Sequence, residues 1–359
     1  MMLVSDLYLW LSYSRVSTSR INRILEKIPI TVLWESFAES DDFNKYSLDE
    51  KTFTLLKRSR NVDFIERTKQ YLADNHICYM TRVDPMFPPA LSQREVDPPL
   101  VLYYKGRPEI LREPCIAVVG TRRASQYGRY FVQREVSELA RSFTVVSGLA
   151  AGIDGYAHSA ALSVGGNTVA VLGSGLFNPS PVSNIPLFDE ICKNGIVLSE
   201  YPPDVHATAY TFPQRNRIIS GLCKGVLVVE AAEKSGSLIT ANCALEQGRD
   251  VFAVPGDVDK PRSVGTNRLI KQGAVPVTCA ADITEYYGMR SRKAERQKAV
   301  ALDFAEEQIM SLLEKSEMSF DMLVEKSGMT VPELNTALSS LMIYGLIHEK
   351  SKNLYCISK

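Results

Sequence analysis

The stretch Ile116-Ala117-Val118-Val119-Gly120-Thr121-Arg122-Arg123-Ala124-Ser125 passes from a β-branched apolar run through a glycine turn toward a helical pattern, Tyr127–Ser142. An apolar run without polar alternation reads as a strand buried on both faces, and the glycine after it allows a tight turn into the helix. The unit recurs. Runs at Thr144–Ser147, Thr168–Leu172, Ile196–Ser199, Val226–Val229, Val251–Val254 and Val275–Thr278 start 24 to 30 residues apart, with helical patterns such as Ile153–Val164, Leu238–Gly248 and Asn267–Gly273 between them. Strand then helix, repeated in this way, predicts an α/β fold: a Rossmann-like, doubly wound, mostly parallel sheet.

Outward from that core the pattern changes. Leu7–Tyr13, Ser19–Ile28, Ile30–Phe37 and Asn61–Asn75 are amphipathic, which predicts a helical segment over 1–80. The prolines of Asp84-Pro85-Met86-Phe87-Pro88-Pro89 and Asp97-Pro98-Pro99 exclude helix and enforce extended backbone, so 81–106 reads as a lead-in to a core at 81–288. A charged linker is expected over 289–300. Beyond it, Phe304–Lys315, Ser319–Ser327 and Thr330–Tyr344 read as helices, and Leu346–Lys350 with Asn353–Ile357 as a hairpin, the order of a winged-helix-like domain at 301–359.

The 359 residues carry 41 Lys and Arg against 41 Asp and Glu, so no global charge announces a polyanionic partner. Divided by segment, the balance is uneven: residues 101–300 hold 23 basic and 18 acidic side chains, residues 301–359 hold 5 and 9. The acidic tail favours a protein contact or regulatory role over DNA reading. Seven cysteines, an odd number without a CxxC pair, do not form a disulfide framework or a zinc motif. With no basic leader and no apolar stretch near the roughly 20 residues that span a bilayer, the chain reads as cytoplasmic without membrane insertion.

The loops that follow the strands carry the chemistry, because the carboxyl ends of strands in an open α/β sheet share one edge. Gly120, Thr121, Arg122 and Arg123, with Ser125, read as an anion site at a helix start, or as an ordinary turn with surface arginines. Gly148 opens a second small-residue turn, Ser147–Asp154, and His158 lies one helical turn beyond Asp154. That pair reads as an acid/base dyad or, more simply, as a helix-start acid beside a histidine. Gly173-Ser174-Gly175 lacks the third glycine of a dinucleotide fingerprint and reads as a crowded turn. Phe212, Arg215, Asn216 and Arg217 combine a ring that stacks on a base with groups that pair with phosphates; the structural alternative is a core phenylalanine with arginines capping carbonyls. Lys234, in Glu230–Ser237, adds a further anion cradle. No GxSxG, HExxH or GxxxxGK[ST] pattern is present, so no catalytic, metal or cofactor residue is assigned.

In order, Gly120-Thr121-Arg122, Ser147-Gly148 through Gly152-Ile153-Asp154, Phe212 through Arg217, Lys234–Ser237, Val254-Pro255-Gly256 and Gly265 through Ala274 resemble the DNA-processing protein A (DprA, or Smf) family. The resemblance runs from about residue 84 to 285. It implies a sterile-alpha-motif-like helical domain before the core and a winged helix after it. It also implies a non-enzymatic mediator that binds single-stranded DNA in natural transformation, protects it, displaces single-strand-binding protein and loads the RecA recombinase. The implied DNA pocket is Gly120, Thr121, Arg122, Gly148, Phe212, Arg215, Asn216, Arg217 and Lys234, and the implied homodimer surface lies around Leu269, Ile270, Pro276 and Val277. Three features depart from the family pattern: Ala209 stands where a basic residue is common, Pro276 falls in the implied dimer surface and alters it, and Val16–Ser19 replaces a glycine-rich turn. A phosphoribohydrolase-like enzyme is the alternative, but its PGGxGTxxE pattern is absent; a nucleotide-sensing module is the third reading.

Overall fold

The apolar runs assemble into one sheet, seen in a computed structural model that describes residues 2–39, 48–289, 303–314, 316–343, 346–351 and 353–357. The expected linker beyond residue 289 lies outside the described residues. In chain order the strands are β1 Cys78–Thr81, β2 Val101–Gly106, β3 Cys115–Val119, β4 Thr144–Ser147, β5 Thr168–Leu172, β6 Ile196–Ser199, β7 Gly225–Val228, β8 Asp250–Ala253 and β9 Val275–Pro276. Their order across the sheet is β1-β2-β6-β5-β4-β3-β7-β8-β9.

From β6 to β9 every pairing is parallel, with Ala117 of β3 opposite both Val146 of β4 and Val226 of β7. β2 pairs antiparallel with β6, and β1 antiparallel with β2. The chain runs outward from β3 to β6, returns beside β3 as β7, and then runs outward the other way. The order therefore reverses between β3 and β7, the kind of switch point at which the loops of open α/β sheets carry binding sites.

Both faces of the sheet are covered, which is why its strands lack polar alternation. In β5, Val169 and Val171 join a cluster with Ile218, Ile219, Leu91 and Val96. The alternate residues Ala170 and Leu172 join another with Leu9, Trp10, Ile21, Leu33, Tyr103 and Phe188. The N-terminal helices thus share a core with the sheet. They span Val4–Tyr13, Thr18–Leu25, Ile30–Glu39, Glu50–Ser59 and Val62–Asp74. The helix at Glu50–Ser59 is additional to the sequence reading; Asp49 caps it by accepting from the Thr52 amide at 2.9 Å. Trp10 is fully buried, donates to Ser59 Oγ at 2.9 Å and meets Trp34 edge-on at 5.0 Å. Met1–Tyr287 forms one compact unit and Gly288–Lys359 a second.

The second unit has helices at Phe304–Leu313, Phe320–Ser327 and Val331–Ile343, and strands β10 Met318–Ser319, β11 Ile347–Ser351 and β12 Leu354–Ile357 in the order β10-β12-β11. Ile309, Leu313, Leu323, Leu334, Leu338 and Leu341 form its core. The two-residue β10 adds to the hairpin and completes the winged-helix sheet.

Candidate nucleic-acid interface

The loops after β3 and β7 meet through the main chain: the Thr121 amide donates to the Glu230 carbonyl at 2.8 Å. The loop after β4 closes on the same point, where the Ile153 amide donates to the Thr121 carbonyl at 3.2 Å. Gly152 makes this approach possible. It sits at φ +80°, and a Cβ there would stand 2.4 Å from Thr121 O. On the far side, the Arg262 guanidinium donates from Nε to the Arg123 carbonyl at 2.7 Å, tying in the loop after β8.

Arg122 and Arg123 are exposed on this edge. The Arg122 guanidinium lies 5.1 Å from the centre of the Phe212 ring, a cation–π pair between the loop after β3 and the helix Thr211–Gly221. Phe212 is half-buried, so part of its ring is open to solvent. Lys234 is exposed in the loop after β7, next to Ser235 and Ser237, whose hydroxyls bond each other at 2.8 Å. Gly120 and Thr121 are half-buried beneath Arg122.

Three expectations change. The helix start after Gly120 is not an open anion seat, because the Glu230 carboxylate occupies it. Glu230 is buried and accepts from the Ser125 amide at 2.9 Å and from the Ser125 hydroxyl. Ser125 in turn caps the helix by accepting from the Gly128 amide at 3.1 Å. A carboxylate satisfying these donors closes this helix start to an external anion.

Arg215, Asn216 and Arg217 are buried, not displayed on the edge. Arg215 donates to the carbonyl of Gly148 at 2.9 Å, to that of Val171, and to Asn216 Oδ1 at 3.1 Å. It thereby clamps the ends of β4 and β5, the carbonyl-capping alternative realised over long sequence separations. Gly148 is packed under it, where a Cβ would stand 2.6 Å from Arg215 Nη2 and 2.8 Å from Asp154 Oδ2. Burial pulls the Arg215 guanidinium down to about 10, with Asp154 opposing the shift. Burial likewise pushes the Asp154 carboxyl upward, against the attraction of Arg215 and a hydrogen bond from the Gly148 amide at 3.1 Å. Arg217 points elsewhere, forking from Nη2 onto Glu200 at 2.6 and 2.8 Å, while Thr18 Oγ1 donates to the same carboxylate at 2.9 Å. This buried pair joins the core to the N-terminal helices.

Asp154 and His158 do not form an open dyad. His158 is fully buried with Nδ1 2.7 Å from Thr168 Oγ1, and burial, with Arg215 adding to it, holds its imidazole down to about 3. The third change concerns the expected dimer residues: Leu269 and Val277 are buried in the monomer core, leaving Pro276 exposed and Ile270 half-buried. Sequence reasoning missed Arg262 and the strongly exposed Tyr210, two residues before Phe212. Arg262 lies between the Val254–Gly256 and Gly265–Ala274 motifs, in a loop whose destination only the fold supplies. Among the described residues no three His, Cys, Asp or Glu side chains group as a metal site, and no helix is long and apolar enough to cross a membrane.

An α/β sheet with a topological switch point, an arginine over an aromatic ring at its carboxyl edge, and an appended winged helix define a class of nucleic-acid-handling proteins. The chain belongs to the DNA recombination-mediator protein A family, whose profile matches residues 78–288, and the DprA winged helix domain matches residues 293–351. It is 40% identical over 327 residues to Protein Smf of Escherichia coli, covering 86% of each chain. With DNA processing protein DprA of Streptococcus pneumoniae it shares 46% identity over 201 residues, 56% of this chain and 71% of that one. The solved S. pneumoniae DprA superposes with a TM-score of 0.69 at 35% identity, covering 81% of this chain and 99% of that one. DprA from Helicobacter pylori, solved for its single-stranded DNA binding mode, gives 0.52 at 29% identity over 59% of this chain and 95% of that one.

Proposed function

We propose that this protein is a non-enzymatic mediator that binds single-stranded DNA without sequence preference at the carboxyl edge of its sheet and delivers it to a RecA-type recombinase. The observation that carries the reading is the Arg122–Phe212 pair. A guanidinium beside a partly open aromatic ring offers a phosphate partner and a stacking platform together, and every base has a π-face, so sequence does not matter. Arg123 and Lys234 extend the cationic edge, while Arg215, Asn216 and Gly148 hold the loops that present it. Of the acidic groups nearby, the two buried ones are engaged internally, Glu230 by Ser125 and Asp154 by Gly148 and Arg215, which favours binding over chemistry.

The mediator role rests on family membership together with the H. pylori relative's single-stranded DNA binding. Protection of incoming DNA during natural transformation, displacement of single-strand-binding protein, a cytoplasmic location and a homodimer joined near Ile270 and Pro276 belong to the same proposal. The acidic winged-helix unit fits a protein contact better than a phosphate backbone. A gel shift with oligo-dT over a range of salt tests the binding step: affinity should fall linearly in log–log form. Salt-insensitive binding, or none, refutes it. Strand exchange by RecA on coated single-stranded DNA, with and without this protein, tests the delivery step.

A further inference from the structure

We propose that Arg129 and Tyr156 form a second contact for single-stranded DNA, beside Arg122 and Phe212, so that the bound strand continues from the sheet edge onto the shoulder of the helices following β3 and β4. The proposal rests on the DNA-binding reading above. The Arg129 guanidinium lies 5.4 Å from the centre of the Tyr156 ring, the same cation-over-ring arrangement as at Phe212. Both residues are exposed.

Their placement is fixed by the backbone. Arg129 stands on the helix that continues directly from the Arg122–Arg123 loop, and Tyr156 on the helix whose Ile153 amide is bonded to Thr121. Tyr156 is three residues into that helix, about 4.5 Å along its axis, so the two ring–guanidinium pairs flank a common backbone junction.

Charge at the shoulder is one-sided. Asp154 is buried; Glu135 is buried, accepts from the Ala280 amide at 2.7 Å and pairs with Arg134; Glu138 pairs with Arg141 at 3.1 Å. Arg122, Arg123 and Arg129 are left facing outward. A further pair, Arg134 over Tyr130 at 5.2 Å, differs, because Arg134 is paired with Glu135 and also donates to the Tyr130 hydroxyl at 3.2 Å. Its charge is balanced, so it lies outside the proposed track. A single strand fits the remaining pair because its unstacked bases can lie on an exposed ring while its phosphates meet the guanidinium.

The test compares oligo-dT of about six and about sixteen nucleotides on the full chain and on Arg129→Ala, Tyr156→Ala, Arg134→Ala and Arg122→Ala, with thermal melts as the folding control. The expected result is that Arg129→Ala and Tyr156→Ala each weaken the long oligonucleotide about fivefold or more, leave the short one unchanged, and leave Arg134→Ala indistinguishable from the parent. Arg129→Ala should also make the salt slope shallower by about 0.7 on the long oligonucleotide. If neither substitution affects the long oligonucleotide while Arg122→Ala weakens both, the track is overturned and the edge site stands. If the parent binds neither, both readings fall.

Discussion

Arg122 and Phe212 are 90 positions apart in the chain, yet the guanidinium lies 5.1 Å from the centre of the ring, which packs over the Gly173 turn after β5. Each side chain orients the other, so either one alone is a poorer ligand. Arg122→Ala is expected to weaken oligo-dT binding and reduce the salt slope by about 0.7, the signature of one lost phosphate on a single strand. Phe212→Leu, which keeps apolar bulk against the core, should cost about 1–3 kcal/mol of binding and leave the salt slope unchanged. Fluorescence anisotropy at several salt concentrations separates the two effects.

Arg215 has the opposite character, since its Nε and Nη1 donate inside the protein. Arg215→Ala strands the buried Asp154 carboxylate and frees the carbonyls of Gly148 and Val171, so the expected loss is about 3–5 kcal/mol of stability. Gly148→Ala should also destabilise, by crowding the same guanidinium. Urea denaturation reads both, and a stable variant with normal DNA affinity would show that Arg215 is not a clamp.

His158 gives a pH dependence. Its imidazole stays neutral in the fold down to about 3, whereas in the unfolded chain it titrates at the ordinary histidine value near 6.5. Below pH 6.5 the unfolded chain therefore binds the extra proton, and stability falls as the pH drops toward 3, by about 1.4 kcal/mol per unit from this group. Between pH 7 and 5 the parent should lose about 2 kcal/mol more than His158→Gln. Equal losses in denaturant midpoints would exclude the effect.

The chain's two tryptophans, Trp10 and Trp34, both lie in the N-terminal helices, which share a core with β2, β5 and β6. Tryptophan fluorescence and far-ultraviolet circular dichroism should therefore report one coincident unfolding midpoint for this unit. Glu200→Ala, which leaves Arg217 buried without its carboxylate and releases Thr18, should move both midpoints together. An earlier fluorescence transition would instead mark an independent helical domain.

Legibility tracked the physical range of each signal. The runs from Ile116 to Thr278 announced the parallel sheet because burial on both faces erases polar alternation, a local property. The antiparallel β1 and β2 were not visible as strands: Tyr103, Tyr104 and Lys105 follow a proline-rich segment, and their pairing with Ser199, Leu198 and Val197 is nonlocal. At the site, Arg122 and Phe212 could be nominated from residue type and loop position. The destinations of Arg215 and Arg217 could not, because charge in a sequence does not say whether its partner is a phosphate or Val171 O and Glu200. Glu230 misled for the same reason, its carboxylate lying over a helix start 105 positions earlier.

That carboxylate also bears on how long a strand stays bound. With Glu230 filling the amide seat after Gly120, a strand bound as proposed above would meet side chains rather than a backbone cradle, so its phosphate contacts would be surrendered one at a time. The delivery proposed above requires release of the strand, which an enclosed amide cradle would oppose. Glu230→Gln removes the charge while keeping a hydrogen-bonding group of the same shape, and stopped-flow dissociation from oligo-dT should then slow. Faster or unchanged release would assign Glu230 to the fold alone.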